Sequence, residues 1–360
     1  MKQKRLESLD VLRGLTVALM ILVNNGYGDS FLTLQHSRWN GLTPCDLVFP
    51  FFLFMVGVSI YISMSRHAGE QGMVWKIVKR TIIMFVIGVA LHAWDMIIDG
   101  DIADIPVHLR IWGVLQRIAL CYCAASLFYN TLKGRYLWSA VLTLLVIYGV
   151  ILVAGNGYSE DASTNILAQV DRNLFGEHIY KKALDGRSPV DPEGLVGVIA
   201  GTAHTLIGVI CGRSLMQGKD TTERIMRLAV VAIGLMLAGY LLSFGMPYNK
   251  RIWSPSYTLV TCGMAAGMLA LLTWIIDLQG QRRWSRVFVW FGMNALFVYV
   301  ISEMLPSVIK VTGISSGIYG GWASIFGENE WASLCYALTL DAFMALLAWV
   351  LYVKKIYIKI

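Results

Sequence analysis

"HSRWNGLTPCDLVFPFFLFMVGVSIYISMS", residues 36–65, decides the fold. From Leu47 to Ser65 it carries no charged side chain, and about 20 apolar residues are what an α-helix needs to cross a bilayer core. Thr43-Pro44-Cys45-Asp46 reads as the start of that helix: Thr as N-cap, Pro at the first helical position, Asp three residues after the cap. Just ahead of it lie His36, Arg38, Trp39 and Asn40, a cluster of titratable and hydrogen-bonding groups at the mouth of a span. They pose a choice between an interfacial belt and a site.

Similar runs recur along the whole chain. Of its 360 residues 56% are hydrophobic and 15% charged, against about 25% charged in an average soluble domain; mean hydropathy is +0.60. Ten helices are expected, near 9–26, 44–65, 77–95, 111–131, 136–154, 193–212, 225–244, 255–277, 286–306 and 331–352. The expected fold is all-α, a polytopic integral membrane helical bundle forming one domain over 1–360. A spanning β-barrel would show short alternating segments, and none is found. "MKQKRLESLD" lacks the pattern of a cleavable signal peptide, so the first apolar segment is read as a retained helix. The six cysteines (Cys45, Cys121, Cys123, Cys211, Cys262 and Cys335) sit in or near apolar segments and are expected to be free thiols.

Charge sets the orientation. Lys2, Lys4, Arg5, Arg66, Lys76, Lys79, Arg80, Lys133, Arg135, Arg213, Lys219, Arg224, Arg227, Arg282, Arg283, Arg286, Lys354, Lys355 and Lys359 fall on one side, 19 in all. The other side holds nine: Arg38, Arg110, Arg172, Lys181, Lys182, Arg187, Lys250, Arg251 and Lys310. The positive-inside rule then puts both termini in the cytoplasm and His36 outside. The net charge of +7 follows from this asymmetry and implies no nucleic acid. The stretch 155–192 is expected to be an extracytoplasmic loop.

Polar groups gather on the outer side. Asn24 and Asn25 end the first helix; Arg117 and Glu303 lie within spans; "PYNKRIWSPSY" adds Asn249, Lys250 and Trp253. Asp191-Pro192-Glu193 and Ser254-Pro255 repeat the helix-start pattern of Thr43-Pro44. An ionisable group inside a span is costly and usually faces a cavity or a partner. Among such neighbours His36 reads as a general base, because an unperturbed imidazole titrates near neutrality. On the inner side Asp10 and Arg13 are one helical turn apart, as an ion pair would be, and Asn294 and His204 lie deep in spans, where helix–helix hydrogen bonds are expected.

These residues resemble a known family. "SLDVLRGLTVALMILVNN", "HSRWNGLTPCDLVFPFFLFMVGVSI", "GVLQRIALCY", "VDPEGLVG", "NKRIWSPSY", "GMNALFVYV" and "KKIYIKI" are similar, in order, to stretches of the heparan-α-glucosaminide N-acetyltransferase family of transmembrane acyltransferases. The resemblance implies a bacterial relative in the cytoplasmic (inner) membrane. It would move acetyl from cytosolic acetyl-CoA to an amino sugar outside, with membrane lipid as surroundings, no metal, and a homodimer as the family's assembly. The family's active-site histidine falls on His36, as general base or transient acetyl carrier. Its functional asparagine falls on Asn25 by spacing or Asn24 by the preceding Leu-Val. Trp39, Asn40, Asp46, Arg117, Glu193, Asn249, Trp253 and Glu303 are then expected around the acceptor. Asp10, Arg13 and Asn294 are expected around the donor. The large lumenal region and extra first helix of the lysosomal enzyme are expected to be missing, and the 155–192 loop differs, so acceptor identity does not carry over.

A secondary transporter is the alternative, since Arg117, His204 and Asp341 place polar groups in the membrane. Inverted repeats with broken helices would mark it, and no such repeat is visible by eye. A noncatalytic scaffold would leave His36 to Asn40 without a purpose.

Overall fold

The computed structural model describes residues 6–67, 71–180 and 190–358. Lys2, Lys4, Arg5 and Lys359 of the inner charge count, and Lys181, Lys182 and Arg187 of the outer one, lie outside the described residues.

Each long apolar run is a helix. In chain order these are α1 Glu7–Asn24, α2 Val48–Arg66, α3 Met73–Asp99, α4 Ile105–His108, α5 Val114–Thr131, α6 Leu137–Ala154 and α7 Ile166–Phe175. They continue with α8 Val198–Gln217, α9 Thr221–Ser243, α10 Pro255–Leu272, α11 Arg286–Met293, α12 Ala295–Val311, α13 Ile314–Phe326 and α14 Glu330–Val353. No strand occurs among the described residues.

Seven helices there are long and apolar enough to cross a membrane, and α11 with α12 makes an eighth if that pair, bent by 85°, is one span. The two expected spans that fall short of this measure are α1, which carries Glu7, Asp10 and Arg13, and α5, which carries Gln116 and Arg117. Both pack among other helices, where polar side chains meet protein partners rather than lipid. The connection between α6 and α8 holds α7, the segment after α12 holds α13, and the expected sixth helix begins with a turn at Leu195 rather than at Asp191.

α8 lies at the centre. It packs along α2 and also against α5 and α6, whereas α3, α9 and α14 keep most of their apolar surface on the outside. Two of its polar side chains find backbone acceptors: Thr205 donates to Gly201 O at 2.8 Å and His204 Nε2 to Pro50 O at 2.9 Å. Two glycine pairs permit close approach. A Cβ on Gly57 would lie 2.0 Å from Thr205 O, and one on Gly208 2.2 Å from Phe54 O. Gly14 and Gly292 do the same between α1 and α11, at 1.7 Å from Phe288 O and 2.0 Å from Asp10 O. Small residues that let backbones meet are the usual cement of membrane helices. Gly208→Ala is therefore expected to lower stability by about 2 kcal/mol or more through overpacking. Gly234→Ala, where nothing lies within 4 Å, serves as the control. Thermal unfolding in detergent checks both, and equal melting would contradict the packing argument.

Candidate active site

Thr43 and Asp46 build the site before any other residue does. Asp46 Oδ2 accepts from the Thr43 backbone N–H at 3.1 Å and from Thr43 Oγ1 at 3.0 Å, closing the turn Pro44–Leu47 that leads into α2. The same oxygen accepts from Ser37 N–H at 3.1 Å, which draws the preceding loop back over the turn. His36 is thereby set with Nδ1 2.9 Å from Asp46 Oδ1. The carboxylate side chain is 0% exposed and the imidazole 51% exposed. An ionised carboxylate only accepts, so its bond with Nδ1 requires the ring proton there and leaves the lone pair on Nε2.

Lys250 completes the cluster from the loop between α9 and α10. Its Nζ lies 3.0 Å from His36 Nδ1, 3.2 Å from Nε2 and 3.6 Å from Asp46 Oδ1. Cys45 Sγ is 3.0 Å from His36 Nδ1. Burial pulls the Lys250 pKa below that of an ordinary lysine, with Asp46 opposing. The loop is fixed by Asn249, whose Oδ1 accepts from Ile252 N–H at 3.1 Å and whose Nδ2 donates to Asn40 Oδ1 at 3.1 Å. Gly41 N–H donates to Tyr248 O at 2.8 Å, so the His36 loop and the Lys250 loop are bonded to each other directly. Tyr257 on α10 donates to Asp46 O at 2.6 Å. Trp39 is buried and donates to Tyr158 O at 2.9 Å, in the connection between α6 and α7.

A second charged cluster stands beside the first. Arg110 Nη2 is 2.6 Å from Asp191 Oδ1 and 2.7 Å from Glu193 Oε2. Burial alone would push Glu193 up, but Arg110, Arg117 and Lys250 outweigh it and hold that carboxyl below its usual range. Arg117 is 1% exposed and donates to Pro192 O at 2.6 Å and Gly194 O at 3.0 Å. It clamps the backbone of the Asp191–Gly194 segment, with its guanidinium 5.3 Å from the Trp253 ring. Trp253 is fully buried against Phe49, His204 and Tyr257, at a positive φ of 51°.

Asp171 on α7 holds the same segment through Leu195 N–H at 3.0 Å. Burial raises its pKa from 3.8 to about 6 despite that bond. A raised carboxyl makes charging costly in the folded protein, so stability is lost as pH rises from about 4 through 6, by about 3 kcal/mol. Asp171→Asn is expected to melt higher than the parent near pH 8 and together with it near pH 4. Thermal unfolding at both pH values checks this, and a gap that persists at the acid end would contradict it.

The remaining sequence-selected residues lie elsewhere. Asn24 Nδ2 donates to Glu303 Oε1 at 3.2 Å, joining the C-terminal end of α1 to α12. Asn25 is buried and donates to Ile21 O at 2.8 Å. Arg13 bridges Asp10 Oδ1 at 3.4 Å, Gly292 O at 3.3 Å and Ser59 Oγ at 3.0 Å. Asn294, at the α11–α12 bend, donates to Ile356 O at 3.0 Å and accepts from Ile358 N–H at 2.9 Å, binding the C-terminal segment. On α14 the Asp341 Oδ1 atom is buried without a partner among the described residues. No group of three His, Cys, Asp or Glu side chains suited to a metal occurs among the described residues.

Sequence reasoning selected His36 and Asp46 separately, named Lys250 only among the polar groups near them, and gave Arg110 and Asp171 no part. Arg110 had a signal, as the single Lys or Arg between α3 and α5 on the side that also holds the two acids of Asp191-Pro192-Glu193. Asp171 had none.

Fold and site together define an integral membrane protein whose helix bundle carries a His–Asp pair with a lysine at its open edge. Residues 5–170 match the family profile described as heparan-alpha-glucosaminide N-acetyltransferase, catalytic. The chain is 29% identical to the mouse heparan-alpha-glucosaminide N-acetyltransferase and 27% identical to the human one, in each case over 99% of its own length. It spans 60% of the length of those relatives. The chain is thus similar to members of this family.

Proposed function

We propose that the protein is a transmembrane acetyltransferase that moves acetyl from cytosolic acetyl-CoA to the amino group of a glucosamine-type sugar outside. The membrane is the bacterial cytoplasmic membrane, with the His36 side outward, as the uneven distribution of Lys and Arg suggests. In this reading the 360 residues form one ten-span unit with both termini inside. The observation that carries the reading is the half-exposed His36 backed through Nδ1 by the fully buried carboxylate of Asp46, which leaves the Nε2 lone pair beside the amine of Lys250.

Transfer to an amine requires that nitrogen to lose a proton as it attacks the thioester carbonyl. His36 Nε2 takes that proton as general base, and Asp46 stabilises the imidazolium that forms. Asp46 has no exposed surface, so its part is to orient His36 rather than to touch substrate. The acceptor nitrogen takes the position that Lys250 Nζ holds beside Nε2. Asn40, Glu193 and Glu303 remain the polar groups proposed to meet the sugar, with the buried Trp39, Arg117, Asn249 and Trp253 supporting the walls behind them. Asp10, Arg13, Asn294 and the neighbouring basic loops are proposed for the donor side. The Asn24 and Asn25 amides would have to leave Glu303 and Ile21 O to donate to a developing oxyanion.

The competing reading is a transporter, and the bent α11–α12 pair is the feature that favours it. At that bend, however, the Asn294 side chain is occupied by the C-terminal segment. Purified protein incubated with acetyl-CoA and glucosamine is expected to release free CoA and N-acetylglucosamine together, followed by mass spectrometry. Uptake of amino sugar into vesicles without CoA release would replace the enzyme by the transporter.

A further inference from the structure

The site already contains an amine. Lys250 Nζ lies within 3.2 Å of both ring nitrogens of His36 and 3.6 Å from Asp46 Oδ1, where an acceptor's nitrogen must come to be deprotonated. Its side chain is 15% exposed, and its loop is pinned on either side of it. Asn249 holds the hairpin from within, and Trp253 N–H donates to Lys250 O at 3.1 Å. The backbone that carries Lys250 is therefore fixed, and its nitrogen sits among His36 and Asp46. Burial lowers the cost of removing the first proton from the ammonium, because desolvation disfavours the charged form.

We infer that Lys250 is an internal acetyl acceptor, modified by the protein's own chemistry when donor is present and amino sugar is absent. This rests on the acetyl-transfer reading of the same site. The ammonium first loses one proton to solvent. The Nζ lone pair then attacks the carbonyl carbon of the thioester donor, and the second proton passes to His36 Nε2. As the C–N bond forms, the C–S bond breaks and its electron pair leaves on the CoA sulfur, which takes the proton back from His36. The products are Nε-acetyl-lysine and free CoA, with no oxidant or reductant involved.

The consequence is self-inactivation. An amide does not return its acetyl group as a thioester does, it is neutral where the ammonium faced Asp46, and its methyl and carbonyl fill the space beside Nε2. An amino sugar that occupies that space first protects the lysine. The acceptor would thus keep the enzyme active, and donor alone would shut it down.

The test uses the full-length protein in detergent with acetyl-CoA and no sugar, followed by peptide mass spectrometry. The Lys250 peptide is expected to gain one acetyl group, with CoA released once per protein. Activity toward glucosamine should fall in proportion. Added glucosamine should suppress the modification, and His36→Ala should abolish it without changing chemical acetylation at Lys310, whose side chain is 72% exposed. In Lys250→Arg the glucosamine rate, whatever its starting value, should no longer decline during incubation with donor. An unmodified Lys250 in a preparation that acetylates glucosamine overturns this inference alone, as does equal modification of Lys250 in His36→Ala. If neither Lys250 nor glucosamine is acetylated, the acetyltransferase reading falls and the inference falls with it.

Discussion

Replacing His36 by alanine is expected to lower acetyl transfer to glucosamine by about 10²–10⁴-fold, the usual contribution of a positioned general base. The fold should survive. His36 contributes no backbone constraint that Ser37 and Thr43 do not already supply, since Asp46 Oδ2 keeps its bonds to Ser37 N–H, Thr43 N–H and Thr43 Oγ1. Lys250 remains beside Asp46 Oδ1, so the carboxylate is not left as an uncompensated buried charge. The measurement is N-acetylglucosamine formation by mass spectrometry, with thermal unfolding of the same sample. Equal rates in parent and variant, both folded, would remove His36 from the chemistry.

Asp46→Asn is expected to be nearly as damaging, at about 10³-fold, although it changes a group that touches no substrate. The reason is the hydrogen-bond count. Three donors converge on Oδ2, so the new amide must turn its oxygen to that side. Its NH₂ then occupies the place of Oδ1, facing His36 Nδ1. A donor there holds the ring in the tautomer with its proton on Nε2, where the lone pair is needed. Unlike His36→Ala, this variant keeps every side chain in the cluster at its original size. The loss should therefore appear in kcat rather than in KM. Nitrogen chemical shifts of labelled histidine report the tautomer directly. A variant that retains activity, or one whose ring still protonates Nδ1, would overturn the pairing argument.

The spans were legible because lipid imposes one rule on every helix facing it, and apolar runs such as 47–65 obey it without ambiguity. α1 and α5 were legible as helices but not by apolar composition, since interior positions in the bundle tolerate Arg13 and Arg117 once protein groups receive them. The bend at Asn294 was not legible: residues 286–306 read as one apolar run, and the partners of Asn294 lie 62 and 64 positions further on.

In the site, the Thr43–Asp46 turn was plain from the local pattern, and its sufficiency hid the rest. A capping carboxylate has two oxygens; the pattern accounts for one of them and is silent about the other, which meets His36. Lys250 is 214 residues from His36, and only the folded chain joins them. Trp253 read as an interfacial aromatic or a wall of the acceptor site, and it is buried core. Spacing along the chain reports neighbours within an element and cannot report which loops meet.

The first helix also has its cap elsewhere. Leu6 offers no side chain to the N-terminus of α1, and the Glu7 and Ser8 N–H groups instead donate to Asp277 at 3.2 and 3.4 Å, some 270 residues away. During synthesis this helix emerges well before its cap and waits for some 270 further residues before its end is satisfied. Its close partner Gly292 arrives later still. Biogenesis therefore completes α1 late, with residues made some 270 positions after it, and a ribosome stalled before Asp277 would leave an inserted but unfinished bundle.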